Sequence, residues 1–168
     1  RQMPETVQVL AAHADALQSP DDDHVTRCWD QGGQDTLESL AEAVEQHHLN
    51  VLVVQFNYGF FHFEHFARFV NQQIDAGRKI IVVLHATTDP VHATDKKLSQ
   101  LVPILGRCHR LLVHAIPDLN RLKSYGLVDN VTLFPHGILD HDANHPSGFA
   151  RGRSFTIATF GFFLPHKG

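Results

Sequence analysis

The sequence has no block of lysine or arginine. Its 168 residues carry 14 Lys+Arg against 18 Asp+Glu for a formal net charge of -4, with the cations spread along the chain. It therefore lacks the electrostatic footprint of a protein that tracks nucleic acid, and any anionic ligand must be held by local donors. Cysteine is scarce: Cys28 and Cys108 stand alone, neither in a CxxC pair. They read as buried free thiols of a reducing compartment rather than as a disulfide. No stretch reaches 18 apolar residues, and the start RQMPETVQVLAA has no signal-peptide form. The expectation is a cytoplasmic protein, with peripheral contact to a membrane left open. Low complexity is absent too, since 43% hydrophobic residues and 12 Phe suffice for one substantial globular core.

Several chemical signatures are also missing. There is no GxSxG elbow, and neither cysteine has a nearby histidine to activate it. His62 and His65 of HFEH lie one helical turn apart but lack the HExxH pattern of a zinc protease. HGILDHDANH offers His136, Asp140, His141, Asp142 and His145, yet their spacing matches no metal motif and reads as a solvated linker. No metal and no cofactor is expected.

What is present is alternation. From about residue 34 the hydrophobic period switches repeatedly between apolar runs and helical patterns. NVLVVQFN (residues 50–57) and KIIVVLHAT (79–87) are continuous apolar runs, as parallel strands buried on both faces are. RLLVHA (110–115), VTLFPH (131–136) and FTIATFGF (155–162) continue the series, and TVQVLAA and HVTRCWD precede it, with the SPDDD turn between them. DTLESLAEAVEQHH reads as a helix whose Asp35 and Glu38 form a capping box, with Leu37, Leu40, Ala41 and Val44 on one face. HFEHFARFVNQQIDAG places Phe63, Phe66, Ala67, Val70 and Ile74 on one stripe and stops at Gly77. DKKLSQLVPILGRC reads as a helix interrupted by Pro103, and PDLNRLKSYG as one that starts on Pro117 and ends at Gly126. Strands and helices in turn give an α/β fold, a Rossmann-like parallel sheet with helices on both faces and right-handed crossovers.

In such sheets ligands bind beyond the carboxyl ends of the strands. Gln55, Asn57, Tyr58 and Gly59 follow the first strong strand, His85 with Thr87, Thr88 and Asp89 the second, His114 the third, and His136 with Gly137 the fourth. Among 14 histidines a single strand-end histidine has an ordinary structural or solvent role more often than a functional one. Recurrence at one topological position is what singles these out, and His85 closes the most apolar strand, facing a polar Thr-Thr-Asp loop. Phe63 and Phe66 have core spacing, whereas Tyr58, Phe60 and Phe61 lie before the helix and are candidates for the flat walls of a pocket.

The end of the chain, TFGFFLPHKG, tests as a phosphate loop and fails. Gly161 and Lys167 have the separation of a Walker A motif, but His166 stands where its second glycine belongs and Gly168 where its hydroxyl belongs.

Taken in order, NVLVVQFNYGFF, VVLHATTDP, RLLVHAIPDLNRL, VTLFPHGILD and FTIATFGFFLPHKG resemble the retaining glycosyltransferases of family 4, which have the two-Rossmann-domain GT-B architecture. The resemblance implies an acceptor-binding domain at residues 1–140 whose first strand lies upstream, an interdomain linker at 141–153, and the start of a nucleotide-sugar-binding domain at 154–168. It implies a fragment, inactive alone, of an enzyme that transfers a sugar from a nucleotide-sugar to a saccharide or lipid-linked acceptor with retention. His85 matches the family's strand-end histidine near the reacting sugar. Gly161 and Lys167 match its donor-phosphate turn, with Phe162 where the family has arginine. Asn57, Tyr58, Gly59 and Phe60, with His136 of the Pro-His-Gly turn, match acceptor-side segments. Two other readings stand beside it: a metal-dependent hydrolase built on the histidine-rich rim, and a non-catalytic Rossmann-like binding module.

Overall fold

The computed structural model describes residues 7–137, apart from 18, 33 and 94. The chain divides into two compact units, Arg1–His136 and Gly137–Gly168. The expected strand at 155–162, the linker at 141–153, and Gly161 and Lys167 lie outside the described residues.

The first unit is an α/β fold of Rossmann-like kind. In chain order it contains β1 (Val9–Ala12), β2 (Val25–Trp29), α1 (Glu38–Gln46), β3 (Val51–Phe56), α2 (Phe63–Asp75) and β4 (Lys79–Leu84). A 3-10 turn (Leu98–Leu101), α3 (Val102–Arg107), β5 (Arg110–Val113), α4 (Ile116–Ser124) and β6 (Val131–Leu133) complete it. Strands β3, β4, β5 and β6 form one parallel sheet in that order, and β1 and β2 form a separate parallel pair. The SPDDD turn therefore does not make a hairpin: β1 and β2 run the same way, Val9 opposite Val25. The connecting loop is clamped by Arg27, which donates to both carboxylate oxygens of Asp21 at 2.7 and 2.8 Å and also reaches the carbonyl of Ala12.

The sheet advances one strand at a time in a single direction, so right-handed crossovers place α2, α3 and α4 on the same side. The packing shows this. Leu52, Phe56, Ile80, Val82, Leu84, Leu111 and Val113 share one core with Leu40 and Val44 of α1, Phe66 and Val70 of α2, Leu105 of α3 and Leu122 of α4. Helices over the opposite face, expected from the sequence, are not among the described residues.

Local chemistry explains the element ends. The Asp35–Glu38 capping box does not form: α1 starts only at Glu38, with buried Leu37 as its N-cap in the left-handed region at φ 63°. Asp35 works one step earlier, its carboxylate accepting from the N–H groups of Leu37 at 2.7 Å and Asp30 at 2.5 Å. Pro103 does not interrupt a helix. It sits in the first turn of α3, where its missing N–H would have had no intrahelical partner. α2 runs from Phe63 to Asp75, and Gly77 follows at φ 84°, the conformation a helix C-terminus favours in glycine.

Candidate functional site

Strands β3, β4 and β5 lie in register, Gln55 opposite Val83 and Val83 opposite Leu112. Alternation then places Gln55, His85 and His114 on the same side of the sheet, at its carboxyl-end rim. The Nε2 of His85 lies 2.7 Å from Oε1 of Gln55, so Nε2–H donates and Nδ1 is left as a lone pair. His114 Nδ1 lies 2.8 Å from the carbonyl of Phe134. A carbonyl only accepts, so Nδ1 carries the proton, and the buried Nε2 is left without a hydrogen-bond partner. His136 joins from the segment after β6, its ring 3.7 Å from that of His114 and 6.4 Å from that of His85, while His85 and His114 are 5.2 Å apart.

The three strand-end histidines thus meet on one rim. They meet by stacking, with His136 within 18° to 19° of parallel to the other two rings, and among the described residues no group of three or more ligating side chains converges on a metal position. Burial, then the neighbouring imidazoles of His114 and His136, push His85 below its ordinary pKa. Near neutral pH its lone pair is available to accept a hydrogen bond.

The polar loop after β4 is used elsewhere. Thr87 donates to Asp118 of α4 at 2.5 Å. Asp89 accepts from the Tyr58 hydroxyl at 3.3 Å and from the Leu98 N–H at 2.8 Å. His85 therefore finds its partner on the adjacent strand rather than in its own loop.

The segment after β3 divides in two. Asn57 and Gly59 are exposed and form a tight turn, the Asn57 side chain accepting from the Gly59 N–H at 2.9 Å. Tyr58 and Phe61 belong to the core, and burial beside Asp89 holds the Tyr58 phenol far above its usual range. Phe61 stacks on Trp29 with ring centroids 5.1 Å apart, and half-buried Phe60 meets the same indole edge-on. Asn57, Gly59 and Phe60 remain open to a ligand, while Tyr58 and Phe61 serve packing.

Sequence reasoning missed Lys96. Its ammonium donates to the carbonyls of Tyr58 at 2.7 Å and Phe61 at 3.1 Å, tying the loop after β4 to the loop after β3. Beside it a cleft of about 450 Å³ is lined by His62, Phe63, Glu64, Asp95, Lys96 and Gln100. No periodicity or motif marks Lys96 within TDKKL, because its partners are carbonyls more than thirty residues away.

Comparison of the chain with protein-family models, with curated proteins and with solved structures gives no match.

Proposed function

We propose that the chain contributes the acceptor-side domain of a GT-B-type glycosyltransferase, which transfers a sugar from a nucleotide-sugar to a saccharide or lipid-linked acceptor with retention of configuration. The observation that carries this reading is the position of His85. It closes β4 at the carboxyl-end rim, oriented by Gln55 from the next strand and flanked by His114 and His136. This is where an open parallel sheet binds its ligands. The order of motifs along the chain resembles that of the family 4 enzymes.

The chemistry follows from what such a transfer needs. Negative charge develops on the departing nucleotide diphosphate, and fixed cations beside it lower the barrier. The resemblance to the family 4 enzymes gives that role to Lys167, with the backbone at Gly161. The described rim offers imidazole and amide groups: His85 and Gln55, the exposed turn at Asn57 and Gly59, and exposed His136. These suit the hydroxyls of a saccharide better than a phosphate.

The test is a turnover assay with UDP- and GDP-sugars, using oligosaccharide and lipid-linked acceptors, on the longest natural chain that carries these residues. Sugar transfer that falls at least tenfold in His85→Ala supports the reading. Stoichiometric zinc retained through dialysis, with hydrolysis and no transfer, would replace it with the metal-dependent hydrolase. Unchanged transfer in both His85→Ala and Lys167→Ala would remove these residues from the mechanism.

A further inference from the structure

β1 and β2 run the same way as the larger sheet, because the two ends of β2 meet opposite ends of β3. Thr26, near the start of β2, lies 3.1 Å from the ring of His47, which ends α1 shortly before β3 begins. Trp29, at the end of β2, packs on Phe60 and Phe61, which follow β3. The residues just after β1 and β2 therefore belong to the carboxyl-end side, where His85 also stands. They are His13 and Asp30. The His13 N–H donates to the Trp29 carbonyl at 2.8 Å, and Nδ1 of the His13 ring lies 3.1 Å from Oδ1 of Asp30. A carboxylate only accepts, so Nδ1 carries the proton and Nε2 of the neutral ring is left as a lone pair. The two side chains are 55% and 70% exposed, so that lone pair is open to a ligand.

We propose that His13, oriented by Asp30, takes the proton from the attacking hydroxyl of the acceptor, an inference that rests on the sugar-transfer reading given above. In that step the hydroxyl oxygen bonds to the anomeric carbon, and the bond from that carbon to the nucleotide diphosphate breaks. The diphosphate leaves with the bonding electrons, and the hydroxyl proton passes to Nε2 of His13. The partner of each histidine decides which one suits this role. A histidine that takes a proton becomes positive, and a carboxylate held on its other nitrogen stabilises the imidazolium. Among the described residues, His13 is the histidine whose ring meets a carboxylate. The rings of His47, His65, His85 and His114 meet a hydroxyl, a carbonyl, an amide oxygen and a carbonyl in turn. Burial and the neighbouring imidazoles also favour the neutral ring of His85, which suits a hydrogen bond to substrate rather than proton transfer. Position agrees as well: His13 is bonded to Trp29, and Trp29 meets Phe60 of the turn that carries the proposed acceptor contacts.

Sugar transfer by the longest natural chain that carries these residues provides the test. His13→Ala should lower kcat by about a hundredfold with KM little changed. Added imidazole should restore part of the lost rate in His13→Ala and none in His85→Ala, because it replaces a proton acceptor and not a substrate contact. Asp30 acts through His13 as a positioning residue, so Asp30→Asn should lower kcat about tenfold or more. Nitrogen NMR shifts should show His13 protonated on Nδ1 in the native chain and a mixture of tautomers in Asp30→Asn. Both side chains are exposed, so neither variant should lower Tm, and a lost rate is then not a loss of fold. Transfer that survives in His13→Ala, loss that imidazole does not restore, or a native His13 protonated on Nε2 would overturn this proposal alone. Absence of transfer in the native chain would overturn the sugar-transfer reading and this proposal with it.

Discussion

His114 and His136 stack face to face, their ring centroids 3.7 Å apart and their planes 19° from parallel, although one follows β5 and the other lies beyond β6. His85 lies alongside, its ring 5.2 Å from that of His114 and 6.4 Å from that of His136, so the carboxyl-end rim gathers three imidazoles in one patch.

The pH dependence of stability has a defined sign. His85 is held below its ordinary value of 6.5 by burial and by the imidazoles of His114 and His136. The unfolded chain therefore takes up a proton at this position before the folded one does. Its contribution is fully present above about pH 6.5 and is lost as pH falls through the depressed folded value. Urea unfolding at pH 7.5 and pH 5 should show a larger loss of stability in the native sequence than in His85→Gln. Equal losses would mean that His85 titrates as it does in water.

The aromatic core anchors the fold beneath this rim. Phe66 is 1% exposed and lies 5.0 Å from the Phe61 ring and 5.4 Å from the Phe56 ring, so one side chain joins α2 to β3 and to the loop after β3. Phe66→Ala should cost about 3 to 5 kcal/mol in denaturant unfolding. Phe60→Ala, at a half-buried position, should cost clearly less. Comparable losses at the two positions would contradict the packing described.

Much of this was legible in the chain. The continuous apolar runs at β3, β4 and β5 located the sheet, because parallel strands are apolar on both faces, and periodicity located α1 and α2 with their buried stripes. The meeting of His85, His114 and His136 followed from topology alone, since parallel strands end on one rim. Three features did not follow. Asp35 and Glu38 have capping-box spacing, but the left-handed Leu37 delays the helix and turns Asp35 toward Asp30 and Leu37. Tyr58 and Phe61 precede a helix as pocket walls would, yet contacts with Trp29 and Phe56 draw them inside. That α2, α3 and α4 share one face, among the described residues, depends on strand order, which the sequence pattern does not encode.

Cys108 is predicted to be inert in the folded protein. It is 4% exposed, its thiol donates to the carbonyl of Ile104 at 3.5 Å, and burial pushes its pKa up to about 12. The thiolate is the reactive form, so almost none is present at pH 8. A Cys28→Ser variant should react with a disulfide reagent only as fast as it unfolds, and urea should accelerate labelling in step with the loss of structure. Rapid stoichiometric labelling of the native variant would show that Cys108 is accessible.

Lys96, together with the Tyr58–Asp89 hydrogen bond, joins the two loops at the rim. Its two bonds to the Tyr58 and Phe61 carbonyls span the turn containing Asn57, Gly59 and Phe60, which carries the proposed acceptor contacts. A charged donor shared by two carbonyls contributes more than a neutral one, so Lys96→Met should lower stability by about 2 kcal/mol. The local effect is the more specific readout. Hydrogen exchange should accelerate in residues 57–62, while the β4 and β5 amides keep their protection relative to the new global stability. Uniform acceleration across the domain would show that Lys96 acts only through overall stability and does not order the rim.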